Sequence, residues 1–105
     1  MRSEKYFLPY SRTVYIPNSL DFYNFGGLDD TEEEKPFFTN TGASYTLFSI
    51  TDADCLCIPK SIRSMVKARG CFAACYLYGF IYAVGGVNII EGVLTSCERY
   101  DLARD

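Results

Sequence analysis

The sequence contains no histidine and no tryptophan, and it has few basic residues. Without histidine there is no Ser-His-Asp or Cys-His catalytic arrangement, no histidine general base and no histidine metal ligand. The 10 Lys and Arg residues stand against 13 Asp and Glu, which gives a formal net charge of −3. We therefore expect no nucleic-acid partner and no general attraction to an anionic membrane.

The residues that are present indicate a globular, strand-forming chain. The 105 residues suffice for one small domain or for a fragment of a larger protein. Hydrophobic residues make up 49%, which is typical of globular proteins, and the 9 Tyr and 8 Phe favour strands over helices. Residues 1–6 have neither the apolar run nor the cleavage site of a signal peptide, so we expect a cytoplasmic location.

Five cysteines are present, and an odd number fits free thiols in a reducing compartment better than a set of disulfides. The pairs Cys55-x-Cys57 and Cys71-x-x-x-Cys75 superficially resemble zinc ligands. On strands, however, these spacings put each pair on one face of an apolar segment. We predict mostly buried free thiols, with a metal site or redox chemistry as the alternatives. No cofactor and no metal ligand are predicted.

Runs rich in β-branched and aromatic residues predict a series of short strands. These strands lie at 13–16, 22–25, 45–50, 55–58, 71–78, 80–84 and 94–100. Pro17-Asn18-Ser19 predicts a turn, and Pro59 is expected to end the strand that precedes it.

Residues 71–90 carry no charge and have two interpretations. Twenty such residues are long enough to cross a bilayer as a helix, and basic residues precede them as a cytoplasmic flank would. Against a helix, the run contains a single leucine and is interrupted by Gly85-Gly86. We favour a buried pair of strands covered on both faces, with Gly79 at the turn.

An internal repeat is the most informative feature of the sequence. Segment 22–27, Phe-Tyr-Asn-Phe-Gly-Gly, matches segment 81–86, Ile-Tyr-Ala-Val-Gly-Gly, position for position and 59 residues later. An arginine and a β run precede each copy, with Arg12 in the first and Arg69 in the second. A paired glycine can end a strand tightly because it adopts backbone conformations that other residues avoid.

These motifs resemble the kelch repeat, the four-stranded antiparallel blade of a kelch-type β-propeller. The second copy carries the motif well, with Arg69, the run 79–86 and the segment Glu98-Arg99-Tyr100-Asp101. The first copy is degenerate: Phe48 stands in the place of the motif's tyrosine and Cys55 in that of its usual tryptophan. Without tryptophan, the aromatic side chain that normally packs between blades is missing from this copy.

The resemblance implies an all-β fold and a partial β-propeller. We divide the chain into a lead-in over 1–11, a degenerate blade over 12–68 with an acidic loop at 28–41, and a second blade over 69–105 that is incomplete at its C-terminus. Propellers close with typically about 4–8 blades. Two blades leave open edges and faces, so we expect self-association if the chain is expressed alone.

Kelch propellers are mostly protein-binding platforms, so the resemblance implies a non-enzymatic protein–protein interaction module. Its partner would be a protein, for example a cytoskeletal or ubiquitin-ligase substrate protein, held by the loop that follows each Gly-Gly pair. The candidate partner-binding residues are Asp29, Asp30, Glu32, Glu33, Glu34, Asn88, Ile89, Ile90 and Glu91. The residues assigned to blade structure are Gly26, Gly27, Arg69, Gly85, Gly86, Glu98 and Tyr100.

Each of these assignments has an alternative. The acidic run is either a solvated insertion, which we favour, or a surface for a basic partner, and Ile89 and Ile90 either form a contact patch or pack inward. Some kelch-type propellers are copper-radical oxidases or sugar epimerases, but this chain has no histidine and no recognisable nucleophile–base pair, so no catalytic residue is predicted. The remaining alternatives are a single-span membrane protein with residues 71–90 as the helix and a fragment of a propeller enzyme.

Overall fold

The computed structural model describes residues 7–29, 37–49 and 55–104, and within these ranges it contains strands and no helix. The strands are β1 (Arg12–Tyr15), β2 (Asp21–Phe25), β3 (Leu28–Asp29), β4 (Phe37–Phe38), β5 (Gly42–Ser49), β6 (Cys55–Ser61), β7 (Ala73–Leu77), β8 (Phe80–Val84), β9 (Val87–Asn88), β10 (Gly92–Val93) and β11 (Cys97–Asp101).

These strands form two larger sheets and two small hairpins. The first sheet has the strand order β1-β2-β5-β6, and the second has the order β11-β8-β7. The two-residue strands β3 and β4 pair with each other, as do β9 and β10. All neighbouring strands in both sheets are antiparallel, so the predicted all-β class is confirmed.

The run 71–90 forms a β-hairpin with a short extension, not a helix. Strands β7 and β8 are joined by Tyr78 and Gly79, whose φ angles are 48° and 85°. Two positive φ angles are what a tight two-residue hairpin loop requires, and glycine adopts the second without strain. The prediction of Gly79 at the turn is confirmed.

The expectation that this strand pair is covered on both faces is wrong. Strand β7 alternates, with Ala73, Cys75 and Leu77 exposed and the residues between them half-buried. In β8, Ile81 and Ala83 are buried but Val84 is exposed. The reason is that the described part of the chain packs against only one face of the second sheet.

The prediction of mostly buried thiols is also wrong for the cysteines that the structure describes. These four side chains are exposed: Cys57, Cys71, Cys75 and Cys97. The side chain of Cys55 lies outside the described part of the structure. Alternation within an apolar strand indicates which residues share a face, but the exposed face of β7 here contains apolar residues too.

Pro59 does not end its strand, because β6 continues to Ser61. Strand β6 lies at the edge of the first sheet, and Pro59 is opposite Tyr45. Between antiparallel strands, hydrogen-bonded and non-hydrogen-bonded residue pairs alternate. Since the Ile62 N–H donates to the Gly42 carbonyl, the pair Tyr45–Pro59, three residues further along, is a non-hydrogen-bonded pair. Proline is tolerated at such a position because its missing N–H would point away from the sheet.

The hydrophobic core lies between the two sheets. Val14 and Phe25 of the first sheet meet Phe72, Ile81 and Ala83, all of them buried. Aromatic rings extend this core. The Tyr100 ring centroid lies 5.7 Å from that of Tyr23 and 6.0 Å from that of Phe25. Tyrosine and phenylalanine therefore supply aromatic packing between the sheets of this tryptophan-free chain.

The strand registers show which positions of the two repeats correspond. Tyr45 lies opposite Phe22, and Tyr100 lies opposite Ile81. Because Phe22 and Ile81 match in the sequence repeat, Tyr45 is the counterpart of Tyr100. The prediction that Phe48 occupies this place is wrong.

Arg12 is likewise not the counterpart of Arg69. Arg12 lies in β1 opposite Phe25, and Ala73 lies in β7 opposite Val84. Because Phe25 and Val84 match in the sequence repeat, the counterpart of Arg12 is Ala73. Its guanidinium instead links the first sheet to the residue just before β7, since Nε donates to the Phe72 carbonyl at 2.6 Å.

Candidate protein-binding surface

The two Gly-Gly pairs have the same backbone conformation. The φ angles are 68° and 102° at Gly26 and Gly27, and 68° and 94° at Gly85 and Gly86. All four lie in a region that side chains with a Cβ rarely adopt, which explains the repeated glycine pair. Each pair turns the chain out of its strand and into one of the small hairpins, β3–β4 or β9–β10.

Matching hydrogen bonds hold the base of each loop. In the first loop, the Gly26 N–H donates to the Thr41 carbonyl at 2.9 Å, and the Thr39 N–H donates to Gly27 at 2.9 Å.

In the second loop, the Gly85 N–H donates to the Ser96 carbonyl at 3.0 Å, and the Leu94 N–H donates to Gly86 at 2.8 Å. The two loops therefore leave their sheets in the same manner.

Arg69 anchors the second loop from inside the protein. Its side chain is 0% exposed, and each of its five N–H groups has an acceptor. Nη1 donates to the Gly85 carbonyl at 2.8 Å and to the Ser96 carbonyl at 3.1 Å. Nη2 donates to Ser96 Oγ at 3.0 Å and to Glu98 Oε2 at 2.9 Å, and Nε donates to the same Oε2 at 3.2 Å. This arginine is a structural side chain that fixes both ends of the loop.

Glu98 completes this anchor. Its carboxylate also accepts the backbone N–H of Val66 at 2.6 Å and that of Lys67 at 3.0 Å. Burial by itself raises the pKa of Glu98, but these two hydrogen bonds, together with the hydrogen bond and charge of Arg69, outweigh it and hold the pKa below its usual value. The anchor thereby ties the segment that precedes Arg69 to strand β11.

The two post-Gly-Gly loops meet at one groove, which we call the loop groove. Its lining comes from the first loop, from the segment before Arg69 and from the second loop: Phe37, Phe38, Val66, Lys67, Ala68, Asn88, Ile89, Ile90 and Glu91. Four of its apolar side chains are exposed, namely Phe37, Val66, Ile89 and Ile90. A contiguous group of exposed apolar residues is typical of an interaction surface.

The tip of the second loop presents isoleucines to solvent. Ile90 is 94% exposed and Ile89 is 65% exposed, so neither packs inward. The polar residues beside them hold the turn. Asn88 Nδ2 donates to the Ala68 carbonyl at 3.0 Å, and Asn88 Oδ1 accepts the Glu91 N–H at 2.8 Å. Asn88 thus positions the two isoleucines.

The charged residues of the loop groove form an exposed ion pair, with 2.7 Å between Lys67 Nζ and Glu91 Oε1. Pairs of this kind contribute little to stability, about 0–1 kcal/mol, because water screens them.

The acidic part of the first loop is described only at its start. Asp29 lies in β3, half-buried and opposite Phe37. The predicted partner-binding residues Asp30, Glu32, Glu33 and Glu34 lie outside the described residues.

Five residues that line the loop groove were not among the predicted partner-binding residues: Phe37, Phe38, Val66, Lys67 and Ala68. Phe37 and Phe38 are an apolar pair directly after the acidic run, which is a weak signal of a contact surface. Val66 lies in a polar connector, and only the fold brings it beside Ile89 and Ile90.

Across residues 7–29, 37–49 and 55–104, no three His, Cys, Asp or Glu side chains are grouped as metal ligands. Within the same ranges, no helix has the length and apolar character needed to span a membrane. Comparisons of the sequence with protein-family models and with curated proteins find no match.

Proposed function

We propose that this chain is a non-enzymatic protein–protein interaction module, a segment of a kelch-type β-propeller whose post-Gly-Gly loops contact a protein partner. The observation that carries the proposal is the loop groove, in which both loops contribute exposed apolar side chains to one surface. The repeated Gly-Gly conformation and the four-stranded antiparallel sheet support the resemblance to kelch blades.

The chemistry of the loop groove fits a protein surface. Ile89 and Ile90 project from a turn that Asn88 holds by two hydrogen bonds, so their presentation costs little ordering on binding. Phe37 and Val66 extend the apolar area. A partner would bury these side chains, and the Lys67–Glu91 pair would lie at the polar rim.

The acidic run that begins at Asp29 adds an electrostatic preference to this proposal. Five acidic residues within positions 29–34 would attract a partner whose contact surface is basic. A cytoskeletal or ubiquitin-ligase-related protein in the cytoplasm is the partner class that the kelch resemblance implies. The exposed free thiols are compatible with a reducing compartment.

The experiment compares capture of partners by matched variants. Ile90→Lys places a charge in the loop groove, whereas Leu20→Lys places the same charge on an exposed residue in the β1–β2 turn. Proteins captured both by the original chain and by Leu20→Lys are candidates. The affinity of a purified candidate is then measured by calorimetry.

We expect Ile90→Lys to weaken that affinity at least ~10-fold, since truncating or charging a central apolar contact commonly costs more than ~1 kcal/mol. Phe37→Lys should weaken binding of the same partner, because Phe37 also lines the loop groove. The proposal fails if the captured proteins bind Ile90→Lys and Phe37→Lys as tightly as they bind the original chain.

A further inference from the structure

Within the described residues, the two sheets pack against each other through one pair of faces. The sequence repeat places residues of the same kind on the opposite faces of both sheets. Each sheet has a near face, which packs against the other sheet, and a far face. The near face of the first sheet contributes Val14, Ile16, Tyr23 and Phe25. The near face of the second sheet contributes Ala74, Tyr76, Ile81, Ala83, Tyr100 and Leu102.

The far face of the second sheet repeats the near face of the first. Phe25 matches Val84 in the repeat, so the registers Arg12–Phe25 and Ala73–Val84 align strand β1 with strand β7. The counterparts of the near-face residues Val14, Ile16, Tyr23 and Phe25 are then Cys75, Leu77, Tyr82 and Val84.

These counterparts are available for contact. Leu77 is 50% exposed and Val84 is 48% exposed, whereas Phe25 is almost completely buried by the second sheet. The far face of the second sheet is therefore a mostly apolar surface, with Arg99 on its β11 side, and it resembles the surface that is already packed in the contact between the two sheets.

The far face of the first sheet likewise repeats the near face of the second. Tyr15, Phe22 and Tyr45 are the counterparts of Tyr76, Ile81 and Tyr100. Their rings form an aromatic cluster, in which Phe22 stacks on Tyr45 with 5.0 Å between centroids and lies 5.4 Å from Tyr15. Tyr15 is 70% exposed, although its counterpart Tyr76 is partly buried against the core.

The surroundings of the equivalent glycines show where a further unit would lie. A Cβ at Gly26 would lie 2.5 Å from the Arg69 carbonyl oxygen and 2.8 Å from the Phe72 ring, because the second unit packs there. Gly85 has the same φ of 68°, yet a Cβ there would meet nothing closer than the Leu94 carbonyl at 3.6 Å, within its own unit. The space that the second unit occupies beside Gly26 is thus open beside Gly85.

We propose that the far face of the second sheet binds the far face of the first sheet in a second copy of this chain. In this contact, Leu77 and Val84 of one copy pack against the aromatic cluster around Tyr15 of the other. Phe7, which is half-exposed and packs edge-on against the buried Phe22, forms part of that cluster. The two surfaces differ, so the contact is head-to-tail and leads to a closed ring or to an open chain of copies. It is independent of what the loop groove binds.

The first experiment measures the mass of the purified 105-residue chain by light scattering, over about two decades of micromolar concentration. The expected result is a mass of two or more chains that falls toward 11.9 kDa on dilution. A mass of 11.9 kDa at every concentration would overturn the proposal.

Two variants then test which surfaces meet. Leu77→Lys alters only the far face of the second sheet, and Tyr15→Lys alters only the far face of the first. Each should be a monomer alone, because the contact needs one intact face of each kind. A mixture of the two variants should form a 1:1 pair and nothing larger. The intact first-sheet face of Leu77→Lys can still bind the intact second-sheet face of Tyr15→Lys, whereas the two altered faces cannot bind each other. Ile90→Lys, at a 94% exposed residue of the loop groove, is the control and should assemble like the original chain.

The variants also separate this arrangement from the alternatives. Circular dichroism confirms that each variant retains its β-type spectrum. If Tyr15→Lys assembles while Leu77→Lys does not, the second-sheet face binds itself and the head-to-tail contact is wrong. If both folded variants assemble, another surface is used and the proposal is again wrong.

A thiol measurement on the unaltered chain needs no variant. Cys75 lies on the far face of the second sheet, whereas Cys71 precedes strand β7, and both are exposed. Alkylation followed by mass spectrometry should show Cys75 slowed several-fold relative to Cys71 at high concentration, with the difference lost on dilution. A constant ratio of the two rates in an assembled sample would contradict the proposed contact.

Discussion

Replacing Arg69 with methionine removes the charge and all five N–H donors of a completely buried side chain while keeping an unbranched apolar stem. The change leaves the carboxylate of Glu98 without its cation, removes the arginine donor of the Gly85 carbonyl, and removes one of the two donors of the Ser96 carbonyl. Breaking a buried ion pair by removing one partner costs about 3–5 kcal/mol. Small domains are stable by only ~5–15 kcal/mol, so this is a large share of the total.

Urea unfolding, followed by circular dichroism at pH 7, measures this loss. The matched control is Arg99→Met, which makes the same chemical change at an exposed arginine. The Arg99 guanidinium carbon lies 4.2 Å from the Phe80 ring centroid, an exposed cation–π contact worth about 0.5–1 kcal/mol. We expect Arg69→Met to lower the urea midpoint by ~1–3 M and Arg99→Met to lower it by well under 1 M.

The pH dependence tests the role of Glu98 in the same anchor. Because the folded-state pKa of Glu98 is below its usual value of 4.5, its contribution is present above that value and is lost as the pH falls through the folded-state pKa. The difference in unfolding free energy between the original chain and Glu98→Gln should therefore shrink on acidification. If Arg69→Met costs less than ~1 kcal/mol, or if this difference is the same at pH 7 and pH 3, the account of the anchor is refuted.

Three further predictions concern packing and exposure. Gly26→Ala should destabilise the chain by ~1–3 kcal/mol more than Gly85→Ala, as measured by chemical denaturation. The φ angle is the same at both glycines, but only at Gly26 would the added methyl group collide with the other repeat unit. Equal losses of stability would contradict this explanation. Phe72→Ala should cost ~3–5 kcal/mol because the ring is 2% exposed, whereas Phe48→Ala, at a half-exposed ring, should cost much less in the same assay. In the absence of denaturant, Ellman's reagent should react rapidly with the exposed thiols of the folded, dissociated chain, which are Cys57, Cys71, Cys75 and Cys97. Slow reaction would refute their exposure.

The sequence predicted the local elements well, because turns and strands depend on neighbouring residues. Gly79 marks the β7–β8 hairpin, and the Gly-Gly pairs mark the exits from β2 and β8. Pro59 misled because a proline ends a strand only where its missing N–H is needed, and that depends on the hydrogen-bonding register of β6.

The candidate site was only partly predictable. Ile89 and Ile90 could be named from the sequence because two adjacent isoleucines in a loop are unusual. Phe37 and Val66 belong to the same loop groove, but they are far apart in sequence and no local pattern links them. The ion pair between Arg69 and Glu98 joins positions 29 residues apart. The chain holds many other charged residues, so the sequence alone does not indicate which two of them pair in the interior.

By itself, the sequence determined the all-β class, the hairpin at Gly79 and the repeated unit that ends in Gly-Gly. Strand propensity and glycine conformation act over a few residues, so a linear pattern is enough to predict them. Only the tertiary structure decided which face of each strand is buried. Alternation separates the two faces of β7, but the packing of the first sheet against Ala74 and Tyr76 leaves Cys75 and Leu77 exposed. The physical reason is that a face becomes core only where another surface covers it, and that surface comes from a distant part of the chain.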